Sequence, residues 1–455
     1  MIRTCALAVA SLCVFSGVAH AGEQTVNITS GGGYIGEMVC PGAPPTPVKP
    51  PPTGTRPQPW NDQIPTRAEL GALAEFTPRD PAVLSPSAIP DFALRDSSGA
   101  ARPRRIAVWG DSHVAAGPFM AQLIKAIRDH GETVGTRFLP PTMGRANVRL
   151  PTLHAYCIGP GWSTALAFSA NDVLQTGPGL ANRIGTAGAG TYLWVDFRSA
   201  EREATLKQTT LVYRGTGDIE LLMSVNDGPE QTVTLGGSGT SFLTVTSDQL
   251  ISTLKFTVTR GTLNLEGFQL DYAQAPLVRF DVFGLPGSTA RGWANADPAA
   301  VRDALHGDTY DAVVLEYGTN EGSDLHLDSA KYAASLTRTL SNMRQVFPNA
   351  SCVLVGPPDR GVLVNRKGAA SADYLQYAHI HQMIARVQAQ LAPQYNCVPW
   401  NWQEYMGGPG GSYGWVYNSP SYMGRDLTHM TVAGYTRVGQ ALATSLGWMS
   451  DLFPK

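Results

Sequence analysis

The chain predicts an α/β fold in which a parallel sheet, covered by helices on both faces, is interrupted by a β-sandwich. Three observations carry this. From about residue 100 to 150, and again from about 276, apolar strand patterns alternate with helical ones, as in a parallel sheet with crossover helices. Between 158 and 275 the rhythm changes to short alternating strands with no convincing helical period. Turn signals at Gly215-Thr216-Gly217-Asp218, Asn226-Asp227-Gly228 and Gly236-Gly237-Ser238-Gly239 punctuate that stretch, as expected of a sandwich.

Each element has its own signal. Residues 1–21 read as a secretory signal peptide: Arg3 gives a positive start, Cys5 to Val18 is largely apolar, and Ala19-His20-Ala21 is an A-x-A cleavage site. Residues 22–65 read as a Pro-rich N-terminal segment and linker, with Pro-Pro-Thr-Pro and Pro-Pro-Pro-Thr between 41 and 65 forming a semi-rigid tether. The first part of the α/β domain covers 66–157. Its strand Arg105 to Trp109 is followed at once by a helical pattern through Phe119, Leu123, Ile124 and Ile127.

Strands of the insert, 158–275, include Tyr192 to Phe197, Thr210 to Tyr213, Ile219 to Val225 and Leu254 to Val258. The second α/β part, 276–455, opens with the strand Val278 to Phe283. Asp297-Pro298 is an N-cap and first-turn pair, and Gly307 ends that short helix. Then come the strand Ala312 to Tyr317, the helix Asp328 to Phe347, the strand Cys352 to Pro357, the helix Ser371 to Leu391, the strand Val398 to Trp402 and the helix Thr431 to Trp448.

Composition narrows the function classes. With 455 residues, two or three domains are expected. Charged residues are 15% and hydrophobic ones 43%, enough for a sizeable core. A net charge of −2 argues against a nucleic-acid partner held by bulk electrostatics. After the apolar N-terminus no run approaches the length of a membrane span, so the mature chain is expected to be exported, periplasmic or secreted, without a membrane span.

Export makes the cysteines readable. Four follow the cleavage site: Cys40, Cys157, Cys352 and Cys397. Cys352 and Cys397 each begin an apolar strand. If those strands are parallel neighbours, a disulfide there closes a loop of roughly 45 residues, worth about 4 kcal/mol in the chain-entropy model. Cys40 with Cys157 follows by elimination only. No CxxC or histidine spacing suggests a metal.

Four polar blocks stand at the carboxyl ends of strands or before the last helix, where such sheets place their sites. They are Gly110-Asp111-Ser112-His113, Gly284 to Ser288, Gly318-Thr319-Asn320-Glu321, and Asp426-Leu427-Thr428-His429. Ser112 sits where a helix N-terminus stabilises developing negative charge, but a serine hydroxyl needs a base at neutral pH. His429 supplies one through Nε2, and Asp426 holds its Nδ1–H. The backbone N–H groups of Ser112 and Gly287 and the side-chain amide of Asn320 form the expected oxyanion hole. Alone, a GDS triplet is common and a DxxH is usually a solvated turn. Their ordered occurrence at strand ends lowers those odds.

Asp111 reads as structural. Glu316 is either paired in the interior or tolerated in its strand. His113 has no assigned role. His379 and His381 stand on different faces of one helix, which argues against a metal pair.

In this order, the blocks resemble those of the SGNH (GDSL-type) hydrolases. Within them the chain is similar to the peptidoglycan O-acetylesterase branch of Gram-negative bacteria. Tyr317 to Glu321 reads YGTNE, and Val355 to Asp359 reads VGPPD, both similar to that branch. The insert resembles a carbohydrate-binding module of family 35 type, with Leu265 to Leu270 leading toward the glycine block. The segment Trp402 to Trp415, containing Met406-Gly407-Gly408-Pro409, also fits. The glycine block itself departs: it reads GLPGST rather than the NGxNGA type.

The resemblance implies an SGNH-type three-layer α/β/α sheet with an inserted β-sandwich. It implies a serine acetylesterase acting on an O-acetylated glycan, with O-acetylated muramic acid of peptidoglycan as the substrate and no cofactor. The alternatives are an O-acetyltransferase using the same triad, an esterase for another acetylated glycan, and a non-catalytic glycan-binding protein. Trp194, Trp402 and Trp415 are candidates for sugar contact, although tryptophan is more often core than ligand.

Overall fold

The computed structural model describes residues 22–32, 36–41, 63–71, 92, 94, 98, 100, 102–188, 190–199, 202–215, 217–364 and 373–449. The expected signal peptide and most of the Pro-rich stretch lie outside them.

Six parallel strands form the central sheet: β1 (Arg104–Gly110), β2 (Val134–Gly135), β3 (Val278–Gly284), β4 (Ala312–Glu316), β5 (Ser351–Val355) and β6 (Cys397–Trp400). Their spatial order is β6-β5-β4-β1-β3-β2. From β1 the chain passes to the edge strand β2, returns to β3 beside β1, and then crosses to β4 on the other side, which puts a topological switch point beside β1, where open α/β sheets open a crevice.

Strand alternation divides the core into two layers. Ile106, Val108, Phe280 and Val314 face one side, under α1 (Pro118–Asp129) and α5 (Val432–Ser445). Ala107, Trp109, Val313 and Leu315 face the other, under α2 (Pro298–Leu305), α3 (Ser329–Val346) and α4 (Gln376–Leu391). Being covered on both faces, the strands are continuous apolar runs, which is why they were legible. Asp297, Asp328 and Thr431 cap α2, α3 and α5 through their side chains.

The insert is two packed, mostly antiparallel sheets of seven and five strands around an apolar core that includes Leu211, Leu221, Phe256 and Phe268. Two boundaries differ from the sequence reading. Ala155–Ile158 already belongs to the five-stranded sheet, paired with Tyr192–Asp196. The segment expected as linker contributes Glu23–Asn27 as a parallel edge strand beside Gly239–Ile251. Both differences arise from pairing with strands far away in sequence, which local composition does not report.

Disulfides link Cys40 to Cys157 and Cys352 to Cys397. In the second, the two cysteines are register partners on β5 and β6. The first ties the N-terminal segment to the five-stranded sheet. Among the described residues no helix is long and apolar enough to cross a membrane.

Candidate active site

The site is built on the carboxyl ends of β1, β3 and β4. Gly110 closes β1 in a space no side chain could share: an added Cβ would lie 2.7 Å from Glu316 Oε2 and closer still to Val114. Asp111 follows, fully buried, and its Oδ1 accepts the His113 N–H at 2.9 Å. This caps a single helical turn, Ser112–Ala115, that begins at Ser112.

Before α5, a tight turn carries the fourth block. Leu427 is buried with φ +53°, in the left-handed region. Asp426 Oδ1 accepts both the Thr428 N–H (3.0 Å) and the His429 N–H (2.9 Å). Its Oδ2 lies 2.7 Å from His429 Nδ1, and His429 Nε2 lies 2.9 Å from Ser112 Oγ. The three side chains form one hydrogen-bonded chain.

Partial burial raises the Asp426 carboxyl, but bonds from the His429 ring and from two backbone N–H groups outweigh it and bring it down to about 2. The hydrogen bond to Asp426 in turn raises the His429 imidazole.

Ser112, Gly287 and Asn320 line one cavity of about 1010 Å³, together with Asp426 and His429. Gly287 has φ +81°, and an added Cβ would meet nothing, so glycine is needed there for its backbone conformation. Asn320 Nδ2 donates to the Ser288 carbonyl at 2.8 Å and, at 3.3 Å, to Asp111 Oδ2. The amide thus spans the glycine block and the buried aspartate below the serine.

Beneath these groups lies an acidic floor. Glu316, fully buried at the end of β4, accepts the Asp111 N–H through Oε2 at 3.2 Å, and its Oε1 has no partner among the described residues. Burial pushes Asp111 up to about 6, and burial with the neighbouring Asp111 pushes Glu316 well above the ordinary carboxylate range. Glu321 accepts the Ala290 N–H at 2.8 Å, and burial raises it to about 7. Of the two readings of Glu316, the paired interior one describes its position.

Other candidates fall elsewhere. His113 is buried, with Nδ1 3.0 Å from the Tyr435 hydroxyl and its ring 5.4 Å from that of His429. His381 is buried against the Pro358 carbonyl, whereas His379 is exposed. Trp402 and Trp415 are fully buried in the core under α1 and α5, which removes them as sugar contacts. Trp194 is partly exposed on the insert, with the Lys255 ammonium 4.4 Å from its ring centroid. Among the described residues no group of three or more His, Cys, Asp or Glu side chains is placed to hold a metal ion. Sequence reasoning missed Arg149, Arg360 and Tyr435, which line the cavity. No motif flags them, because each arrives there from a separate loop or helix.

No family model matches the chain, and no curated protein matches it. A solved structure of a peptidoglycan O-acetylesterase aligns with 77% of this chain and 93% of its own, with a TM-score of 0.59 and 21% identity. The two share a fold. That likeness agrees with the fold the motifs suggested. A family two carbohydrate esterase from Clostridium thermocellum aligns with 64% of this chain and 99% of its own at 12% identity, with a TM-score of 0.24. A salicylyl-acyltransferase from a tetracycline biosynthetic pathway aligns with 67% and 99% at 13% identity, with a TM-score of 0.25. Those two scores are too low to bear on the fold.

Proposed function

We propose that the protein is an exported serine esterase that removes O-acetyl groups from a cell-envelope polysaccharide, with O-acetylated muramic acid of peptidoglycan as the substrate. The observation that carries this reading is the chain Asp426–His429–Ser112, at 2.7 and 2.9 Å, opening on a cavity large enough for a sugar.

In this reading Ser112 Oγ attacks the acetyl carbonyl while His429 Nε2 takes its proton. The tetrahedral oxyanion is held by the N–H groups of Ser112 and Gly287 and by the Asn320 amide, which exchanges its long 3.3 Å bond to Asp111 Oδ2 for the oxyanion. Collapse expels the sugar oxygen, which leaves with the proton from His429. Water, deprotonated by the same nitrogen, then releases acetate from Ser112. The α/β domain does the chemistry, and the inserted sandwich shapes access to glycan.

The test is acetate release from O-acetylated peptidoglycan by the purified protein, with and without a glycan acceptor. Ser112→Ala is expected to abolish release, a loss of about 10⁴-fold or more. Acetyl appearing on the acceptor instead of in solution makes the protein a transferase. Glycan binding without turnover of either kind makes it a binding protein.

A further inference from the structure

The cavity above Ser112 carries an anchored cation whose charge the triad does not use. Arg360 follows the buried Asp359, whose carboxylate accepts from Gln403 Nε2 at 2.8 Å and from the Ser412 N–H at 2.9 Å. On the other side, the Gly361 N–H donates to the Leu427 carbonyl at 2.9 Å, inside the turn that carries Asp426 and His429. An added Cβ at Gly361 would come within 3.1 Å of the Leu427 side chain, so any larger residue would have to push the two segments apart. The backbone on both sides of Arg360 is therefore pinned against the triad.

Its side chain is fixed as well. Nη1 donates to Ser323 Oγ at 2.8 Å, and the guanidinium lies 4.1 Å from the Tyr377 ring centroid. Among the described residues no carboxylate pairs with it. Among the described residues the one carboxylate lining this cavity, Asp426, is already bonded to His429, while Arg149 adds a second positive charge to the wall.

A half-buried guanidinium held by a stack and one hydrogen bond keeps its remaining N–H fork for a planar bidentate acceptor. Such an arrangement contributes little to stability and suits a ligand anion. A neutral acetylated sugar leaves that fork unmatched in a partly desolvated cavity.

We infer that Arg360 is a specificity-determining residue that pairs with a carboxylate on the sugar bearing the scissile acetyl, so that the substrate class is an acetylated acidic glycan. This rests on the esterase reading above. The lactyl ether carboxylate of a muramic acid without its stem peptide, where that group is not tied up as an amide, and a uronate share the required chemistry.

The experiment compares kcat/KM for three acetyl esters: O-acetylated N-acetylmuramic acid, O-acetylated N-acetylglucosamine and O-acetylated galacturonic acid. The first two differ by the 3-O-lactyl ether that carries the carboxylate, and the third carries a uronate. The wild type is expected to prefer at least one acidic ester over the neutral one by about tenfold or more. Which acidic ester is preferred names the source of the anion. The acidic-to-neutral ratio is expected to collapse toward one in Arg360→Gln, to survive in part in Arg360→Lys, and to fall with added salt.

A wild-type ratio near one, or a ratio unchanged in Arg360→Gln with its melting temperature retained, overturns the inference. Titration of Ser112→Ala with N-acetylmuramic acid, N-acetylglucosamine and galacturonic acid separates this from the esterase reading. If no ester is hydrolysed but the acidic preference persists in binding and is lost in Ser112→Ala/Arg360→Gln, the esterase fails and the anion subsite stands. Equal binding of all three sugars overturns the subsite whatever the turnover.

Discussion

The rim of the cavity and the acidic floor buried beneath Ser112 put carboxyl groups to opposite uses. At the rim, Asp426 is half exposed and accepts three hydrogen bonds, which hold it near 2. At the floor, Asp111 and Glu316 share one buried pocket, and burial raises both. The rim is thus ionised and oriented, suited to stabilising an imidazolium. In the floor, burial favours the protonated form, most strongly at Glu316, and the pair lies under Ser112. The difference shows that residue type does not set a carboxylate's role: the count of N–H donors around it and its access to water do.

The sharpest way to break the contrast is Asp426→Asn. Oδ1 of Asp426 serves two backbone N–H groups, so the asparagine carbonyl is expected to stay on them and turn its NH₂ toward His429 Nδ1. The imidazole must then carry its proton on Nε2, facing Ser112, where it no longer acts as a base. A loss in kcat on the order of 10³–10⁴-fold is expected, with little change in melting temperature. On the proposed mechanism, activity requires neutral His429, whose imidazole Asp426 raises above 6.5, so log kcat/KM should rise with pH through a midpoint above that value. An acid limb with its midpoint well below 6.5 would falsify the His429 assignment.

Asn320 bridges the two regions, since its amide reaches both the Ser288 carbonyl and the floor carboxylate Asp111. Asn320→Ala is expected to lower kcat by about 10²–10³-fold with KM nearly held, as for loss of an oxyanion donor. If kcat is nearly kept and the melting temperature drops instead, the amide belongs to the floor as a strut and the oxyanion assignment is wrong.

What could be read in advance divides along similar lines. Continuous apolar strands such as Ala312–Glu316 are visible in sequence because burial on both faces demands them. Ser112, Asp426 and His429 are visible because a strand-end serine and a DxxH before the last helix have a chemical reading. Glu23–Asn27 was invisible: it is short, mostly exposed, and becomes a strand only through its partner Gly239–Ile251. Arg360 was invisible because its place depends on the contact between Gly361 and Leu427, two segments distant in sequence. Trp402 and Trp415 misled for a related reason, since an indole's identity does not say whether its surroundings are solvent or core.

The mildest test concerns the floor alone. Glu316 has its folded-state pKa raised, so the folded protein keeps a proton that the unfolded chain releases above its ordinary 4.5. The stability this group confers is therefore complete below that value and is lost as pH rises toward the folded-state value, with a slope of up to about 1.4 kcal/mol per pH unit for one proton. Glu316→Gln keeps an oxygen for the Asp111 N–H and carries no titrating proton. It is expected to flatten the fall in stability above pH 5 while leaving kcat within a few-fold, measured by denaturant unfolding across pH. Glu316→Leu leaves the Asp111 N–H without an acceptor and should cost about 1–3 kcal/mol below pH 4.5, where Glu316 is protonated in both states, and less as the wild type loses stability at higher pH. A Gln variant that retains the wild-type slope would mean that Asp111, not Glu316, carries the titrating proton of the pair. A Leu variant as stable and as active as the wild type would mean that the floor does not brace Ser112 at all.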